Sequence, residues 1–534
     1  MLKPTFKKKS GIRVAVVASI VAGVGAGIAS AADAPDPLLD LFVKKGIVTQ
    51  EEADQVKAEA DAMRTNEVAT MESASRWKIS KGLKNIGLYG DLRVRYEDRT
   101  AEDPAGGKLD LNRLRAAVRL GLKGEAYDNF YYGMRLDTSG NPRSAWYTFG
   151  SSSSGSSYNG PYGKTTAGIN VGLVYLGWQP ASWLDLTVGK MPMPLYTTPM
   201  VWDSDLAPEG AAERLKYTVG EADLFANFGQ FIYEDVNPTT ASGGLGINGL
   251  TGQNTENVFQ FAWQGGVNYH ITTNISAKIG ATLYKYVGMK RSTDTSGTST
   301  SPYFGDPFVG EGTYLGPGTG TANGSSGFGT SGTLPGYRSL GFPNNQVGLD
   351  HLTVLEIPFE ANFKISRLDA RVFGDFAYNF EGKERAQAAA NGYGVYLANQ
   401  TTTPTISGFK AQTDEVKAYQ IGLAVASHDN LGLVNGSTSH RHAWEARAYW
   451  QHVEQYALDP NLLDSDFFEG RGNLEGFYAA LAYGLSDNVI ATLRYGYATR
   501  INDKLGTGGG NQDIPQINAI HKYNLLQMDL TLRF

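Results

Sequence analysis

The 534-residue chain contains no cysteine. That excludes a disulfide scaffold, a thiolate metal site, a c-type haem attachment and a cysteine nucleophile, and it leaves the redox compartment unreadable from thiol pairing. Charged residues are scarce at 19%, and there are only seven histidines. Beyond the first 30 positions no apolar run reaches the roughly 20 residues that a membrane-crossing helix needs. There is no G-x-S-x-G, no H-E-x-x-H and no phosphate-binding loop. What the chain has in quantity is glycine, 65 residues, and aromatic residues: 29 Tyr, 23 Phe and 8 Trp. Low mean hydropathy with high aromatic content suits a membrane β-barrel, whose apolar residues are hidden in alternation.

The first 31 residues read as a secretory signal peptide. Lys3, Lys7, Lys8, Lys9 and Arg13 precede the apolar run Val14 to Ile28, and Ala29-Ser30-Ala31 has the small-x-small form of a cleavage site. The apolar run is short for a retained anchor, and no cysteine follows for lipoprotein processing. Removing this segment takes five positive charges and no acids from a formal charge of -6, leaving -11. An acidic exported chain is a poor nucleic-acid binder, so no nucleic-acid partner is expected.

Residues 32–82 are expected to form a helical hairpin. Pro37 stands at a first helical position before Leu38, Leu39, Leu41, Phe42 and Val43, and Thr49 followed by Glu52 is a capping box opening a second helix. Its apolar positions are too few for a solitary core. Contact with a periplasmic partner or with another copy, and a plain flexible spacer, both remain open for it.

From Ile86 the period changes from 3.6 to 2. In IGLYGDLRVRYE the set Ile86, Leu88, Gly90, Leu92, Val94, Tyr96 interleaves with Gly87, Tyr89, Asp91, Arg93, Arg95, Glu97. The pattern recurs along the chain, for example at Leu114 to Lys123, Phe259 to His270 and Val489 to Tyr495, giving about 16 strands. Joins near Tyr127, Gln179, Gly220, Thr272, Ser366 and Ser486 are tight, whereas those between them are long and Gly/Ser-rich, a two-sided asymmetry typical of outer-membrane barrels. One join, Ser427 to Arg441, is long where a short one is expected. The final strand, with Leu526, Met528, Leu530 and Leu532 on one face, ends on Phe534, a terminal aromatic of the kind that signals barrel insertion.

The predicted fold is therefore all-β: a transmembrane antiparallel β-barrel of about 16 strands over residues 83–534, preceded by the short helical hairpin. In hydrocarbon every backbone polar group must be paired, so a strand-built span has to close. Apolar sets then meet lipid and the interleaved charges face the interior. On that inversion Arg93, Arg95, Arg113, Arg115, Arg119, Lys123 and Arg135 form one basic pore-lining sector, either biasing the lumen toward anions or pairing with neighbouring carboxylates to stiffen the wall. The segment Met191 to Gly210 is the candidate constriction loop, with Asp203, Asp205 and Glu209 as acids that could face that wall. Asp464 and Asp466 in another outer loop read as solvated turn residues before they read as a cation site.

The stretches VGKMPMPLYTTPMVWDSDLAPEG (Val188 to Gly210), LEIPFEANFK (Leu355 to Lys364) and SDFFEGRGNLEGFYAALAYGLSDNVIATLRY (Ser465 to Tyr495) resemble the bacterial "putative porin" family of outer-membrane barrels, distantly similar to phosphate-selective porins. The resemblance implies a barrel in outer-membrane lipid, assembled as a homotrimer, that passes small hydrophilic solutes or ions passively. It implies no cofactor and no particular substrate. The alternatives are a plugged structural or receptor barrel, filled by the loop Val287 to Gly348 and tethered through its N-terminal helices, and an outer-membrane hydrolase. For the last, His270 with Ser276 is the only sketch of a pair, and His440 with His442 reads as a surface patch rather than a metal site.

Overall fold

The computed structural model describes residues 82–104, 106–139, 144–150, 168–234, 258–287, 351–387, 412–437, 440–503, 505–507, 513–514, 517 and 519–534. The expected signal peptide, the helical hairpin apart from its last residue, and the Val287 to Gly348 loop beyond Val287 lie outside them. Eighteen strand segments run in chain order: β1 (Gly87–Glu102), β2 (Lys108–Glu125), β3 (Phe130–Ser139), β4 (Tyr147–Thr148), β5 (Gly168–Ala181), β6 (Leu184–Lys190), β7 (Glu209–Val219), β8 (Ala222–Glu234), β9 (Val258–Thr272), β10 (Ile275–Val287), β11 (Thr353–Glu356), β12 (Phe359–Ile365), β13 (Leu368–Asn379), β14 (Lys417–Ser427), β15 (Trp444–Val453), β16 (Leu474–Gly484), β17 (Val489–Arg500) and β18 (Lys522–Arg533).

Each segment pairs antiparallel with its neighbours in sequence, and β1 pairs with β18 from Asp91↔Arg533 to Glu102↔Lys522, which closes the sheet. Two segment pairs share one position each. β11 and β12 both lie between β10 and β13, interrupted at Ile357-Pro358, where a proline cannot donate to the ladder. β4 lies beside β2 above the end of β3. The result is a closed antiparallel barrel of 16 strands. Closure removes the edges that an open sheet would expose.

The alternation sorts the two faces. Leu92, Val94, Leu120, Leu122, Met134, Leu530 and Leu532 are exposed, whereas Arg95, Glu97, Arg99 and Gln527 on the same or adjacent strands are buried. A soluble sandwich would show the reverse; an exposed apolar band around a polar interior is the membrane-barrel arrangement. Buried apolar side chains are found mainly where loops fold inward. Leu195, Met200, Val201, Trp202, Leu458, Leu463, Phe467 and Phe468 belong to one cluster with strand residues such as Phe231, Tyr284 and Tyr478.

Most joins on one rim are tight, at residues 126–129, 182–183, 220–221, 273–274, 366–367 and 485–488. The turn expected near Gln179 falls instead at Ser182-Trp183, because an irregularity between Trp178 and Ala181 shifts the register. The long join after β14 involves no slip of the flanking strands, since β14 and β15 pair without a break from Ala418↔Val453 to Ala426↔Glu445.

Candidate functional site: a constriction between an arginine-rich wall and two loops

The loop between β6 and β7, residues 191–208, folds into the barrel and is pinned at both ends of its path. Tyr196 exchanges two hydrogen bonds with Gln264: its N–H donates to Oε1 at 2.8 Å and its carbonyl accepts from Nε2 at 2.7 Å. Thr197 Oγ1 donates to Glu356 at 2.6 Å, and Thr198 Oγ1 donates to Asp375 at 2.5 Å. These are inward side chains of β9, β11 and β13, so the loop lies against the inner wall. Each bond satisfies a polar group that burial would otherwise leave at a cost.

A second inward loop, residues 454–473 between β15 and β16, meets the first. Asp203 N–H donates to the Leu462 carbonyl at 2.6 Å, and Asp464 N–H donates to the Pro199 carbonyl at 3.3 Å. The two loops present the same tripeptide, Asp-Ser-Asp, at 203–205 and 464–466. In each, the first aspartate accepts from the N–H of the second, at 2.9 Å for Asp203 and 3.1 Å for Asp464, the Asx-turn geometry these residues favour. The second aspartate of each then reaches a wall arginine. Asp205 lies 3.6 Å from Arg119, and Asp466 lies 2.7 Å from Arg95 and 3.6 Å from Arg99.

The local fields differ sharply between the two members of each turn. Burial pushes the Asp203 carboxyl up to about 7, helped by the charge of Asp205 and opposed by bonds from Asp205 N–H and Ser465. Asp464 is pushed well up by burial and by Asp203 and Asp466. Burial acts the same way on Asp466, but Arg95, Arg99 and Arg494 outweigh it and hold this carboxyl well below the usual range. The expectation that Asp464 and Asp466 are solvated turn residues is corrected in part: inward folding of the loop leaves them half-buried and pairs Asp466 with the wall.

Of the seven basic residues, five border one cavity and two, Arg113 and Arg115, do not. Arg113 pairs with Glu97 at 2.5 Å and Asp513 at 2.6 Å, and Arg115 stands 3.7 Å from Glu97. Arg115 stands opposite Arg95 in register, at the same level of the wall, but neither it nor Arg113 borders the cavity. Arg95 makes a bidentate pair with Asp529, at 2.7 and 2.9 Å, and stacks on Trp146 at 4.2 Å. Arg93 and Arg119 share Asp91, at 2.7 and 3.0 Å. Arg135 pairs with Asp137 at 2.7 Å, and the Lys123 ammonium lies 5.3 Å from the Tyr89 ring centre. Removing one partner from a buried pair of this kind costs about 3–5 kcal/mol, because the other charge is left uncompensated.

Of the proposed loop acids, Asp203 and Asp205 are in the constriction and Glu209 is not. Glu209 opens β7, where its register partner is Lys190, and the two side chains pair at 2.5 Å on the exposed face. Sequence reasoning also missed Arg99, Arg533 and the inward folding of the 454–473 loop. Extending the alternation of β1 by one step would have found Arg99, and the repeated Asp-Ser-Asp would have linked the two loops.

Asp203, Asp205, Asp464, Asp466 and the wall arginines border one cavity of about 610 Å³. Eight cationic side chains line it, Arg93, Arg95, Arg119, Lys123, Arg135, Arg447, Arg494 and Arg533, against six carboxylates. The hydrolase sketch does not assemble: Ser276 stands opposite His270 in register, but the His270 Nε2 is taken by Asp223 at 3.2 Å, and among the described residues Ser276 makes no hydrogen bond to the imidazole. The one grouping with metal-ligand character among the described residues is Asp369, His428 and Asp429 at the short-join rim, where Lys364 already lies 3.2 Å from Asp429.

A closed barrel with an apolar outer band, a charged interior and inward loops defines a membrane-spanning β-barrel channel protein of the outer-membrane type. The family model described as "Putative porin" matches residues 104–534. The chain belongs to that family of outer-membrane porins. Solved structures similar to it include the outer-membrane expressed OmpT of Vibrio cholerae, at 9% identity over 86% of this chain and 100% of that one with a TM-score of 0.38. Another is the Salmonella typhi OmpF complex with daunomycin, at 10% identity over 85% and 98% of the two chains with a TM-score of 0.39. No curated protein matches the sequence.

Proposed function

We propose that the protein is a passive diffusion channel for small hydrophilic solutes or ions, with a weak preference for anions, and not an enzyme. The observation that carries this is the constriction itself. Arginines of β1, β2 and β17 and the aspartates of two inward loops line one cavity of about 610 Å³, with Asp205 and Asp466 reaching the wall arginines directly. Charged walls facing each other at a narrow point orient and select permeating ions. The bias toward anions rests on the surplus of cations lining the cavity, and it is strengthened by burial of Asp203, whose carboxyl is pushed up to about 7.

On this reading residues 1–31 direct export, residues 32–82 contact a periplasmic partner or the equivalent segments of a homotrimer, and Phe534 serves barrel insertion. The basic sector then contributes in two ways. Arg93, Arg95, Arg119, Lys123 and Arg135 set the potential at the constriction, while Arg113 and Arg115 stiffen the wall through Glu97 and Asp513. Single-channel recording in planar bilayers tests the proposal: discrete ohmic steps with a reversal potential toward the anion equilibrium in a salt gradient are expected. Silence from correctly folded protein would reject the channel in favour of a plugged barrel.

A further inference from the structure

The long join at the short-join rim is unlike its neighbours. Sixteen residues, 428–443, separate β14 from β15, whereas the other described joins of that rim have two to four. Rather than standing off the rim, residues 432–436 contact inward side chains of three strands. Gly432 and Val434 both donate their backbone N–H to Glu445 Oε2 of β15, at 2.9 and 2.8 Å. Arg447 of β15 donates to Asn435 Oδ1 at 3.0 Å, and Arg494 of β17 donates to the Val434 carbonyl at 3.3 Å.

The tip reaches β18. Gly436 lies against the Arg533 guanidinium, so that a Cβ there would collide with it, and its φ of +85° is one that glycine adopts without strain. From β15 to β18 is three strand spacings, about 14 Å, so the loop lines that sector of the inner wall. Leu433 and Val434 are buried and belong to the same apolar cluster as Leu463, Phe467 and Ile490. An apolar pair held inside a wet barrel, with its backbone bonded to the wall, is a built element and not a loose turn.

We propose that residues 428–437 form a second constriction in series with the one made by loops 191–208 and 454–473, so that a permeating solute passes through a chamber narrowed by loops at both ends. This rests on the channel reading. The cavity of about 610 Å³ is that chamber: Asp203, Asp205 and Asp466 border it on one side and Val434, Asn435 and Gly436 on the other. Arg533 stands opposite Asp91 in register, and that carboxylate already holds Arg93 and Arg119, so among the described residues the Arg533 guanidinium beside the loop tip has no ion pair of its own. A small hydrophilic organic anion is the class of solute that such a chamber would hold between the two narrow points.

The chain has no cysteine, so a single introduced thiol reports unambiguously. Asn435→Cys, reconstituted in planar bilayers and exposed to a cationic methanethiosulfonate reagent, is expected to lose at least about a third of its single-channel conductance, since a tethered group at a narrow point obstructs current. Ser182→Cys in a tight turn of the same rim is the control and should be modified without loss. A second variant, Glu445→Ala, removes the anchor of the loop backbone and should raise conductance about 1.5-fold by widening the same point. Complete modification of Asn435→Cys, verified by mass, with conductance unchanged would overturn the second constriction. Wild-type silence would instead reject the channel reading, and this inference with it.

Discussion

Asp203 and Ser465, 262 residues apart in sequence, are joined by two hydrogen bonds to one carboxylate oxygen: Ser465 donates its N–H at 3.1 Å and its Oγ–H at 2.8 Å. This contact is the seam between the two inward loops. A buried acid at a seam makes the seam sensitive to protons. Asp203 is held up at about 7, so its folded state keeps a proton that the unfolded chain has released above its ordinary value. Its contribution to stability therefore falls as pH rises through that window and is lost above about 7.

The same titration should be visible in permeation. Above pH 7 Asp203 ionises beside Asp205, with Asp464 and Asp466 facing it, and the cationic surplus at the constriction shrinks. Anion preference, read from reversal potentials in a salt gradient, should decline between about pH 6 and 8 with a midpoint near 7. Asp203→Asn keeps the side chain's shape and removes the titration. A midpoint that persists in Asp203→Asn would assign it to another group.

Charge reversal at arginines that border the cavity should move selectivity more than reversal at those that do not. Arg93→Glu with Arg119→Glu places two carboxylates beside Asp91 and should shift the reversal potential toward cations by tens of millivolts. Arg113→Glu with Arg115→Glu, outside the cavity lining, should shift it less and should lower thermal stability, since Glu97 and Asp513 lose their partners. Equal shifts from the two pairs would show that the cavity is not the selective point.

The last residue closes the first strand. Phe534 N–H donates to the Gly90 carbonyl at 3.1 Å, and Gly90 N–H donates to the Phe534 carbonyl at 2.9 Å, while the Phe534 ring lies over the position where Gly90 lacks a Cβ. Deleting Phe534 should lower the yield of folded barrel on refolding into detergent or lipid, whereas Phe534→Tyr should retain it. The heat-dependent gel mobility of the folded form measures both. The stability cost of losing the ring contact is about 1 kcal/mol.

Substitutions on the two faces of one strand should have opposite tolerances. Val94→Arg or Leu120→Arg puts a cation on the exposed apolar band and should destabilise the barrel by about 2–4 kcal/mol in lipid. Thr531→Arg, on the inward face of β18, should leave folding intact and alter conductance instead. Denaturant titration in vesicles separates the two. Equal destabilisation would contradict the assignment of faces.

How far the interior was readable depended on whether a residue lies on a strand or in a loop. Strand parity placed Arg93, Arg95 and Arg119 opposite Leu92, Val94 and Leu120, because a period of two leaves no other arrangement once one face is apolar. It could not say that Arg119 borders the cavity and that Arg113 and Arg115 do not, since that depends on where the inward loops pack. Glu209 shows the same limit. Its neighbours in sequence are loop residues, yet pairing with Lys190 puts it on a strand and on the outer face.

The sequence alone determined the class of the molecule. Alternation with tight and long joins in turn points to a closed barrel, because hydrocarbon forbids an unpaired backbone group. The tertiary structure alone decided what occupies the interior. Asp203 meeting Ser465, Asp466 meeting Arg95 and Val434 meeting Arg494 are contacts between segments remote in sequence, selected by loop packing inside a cylinder, and loops carry no periodicity from which such contacts could be read.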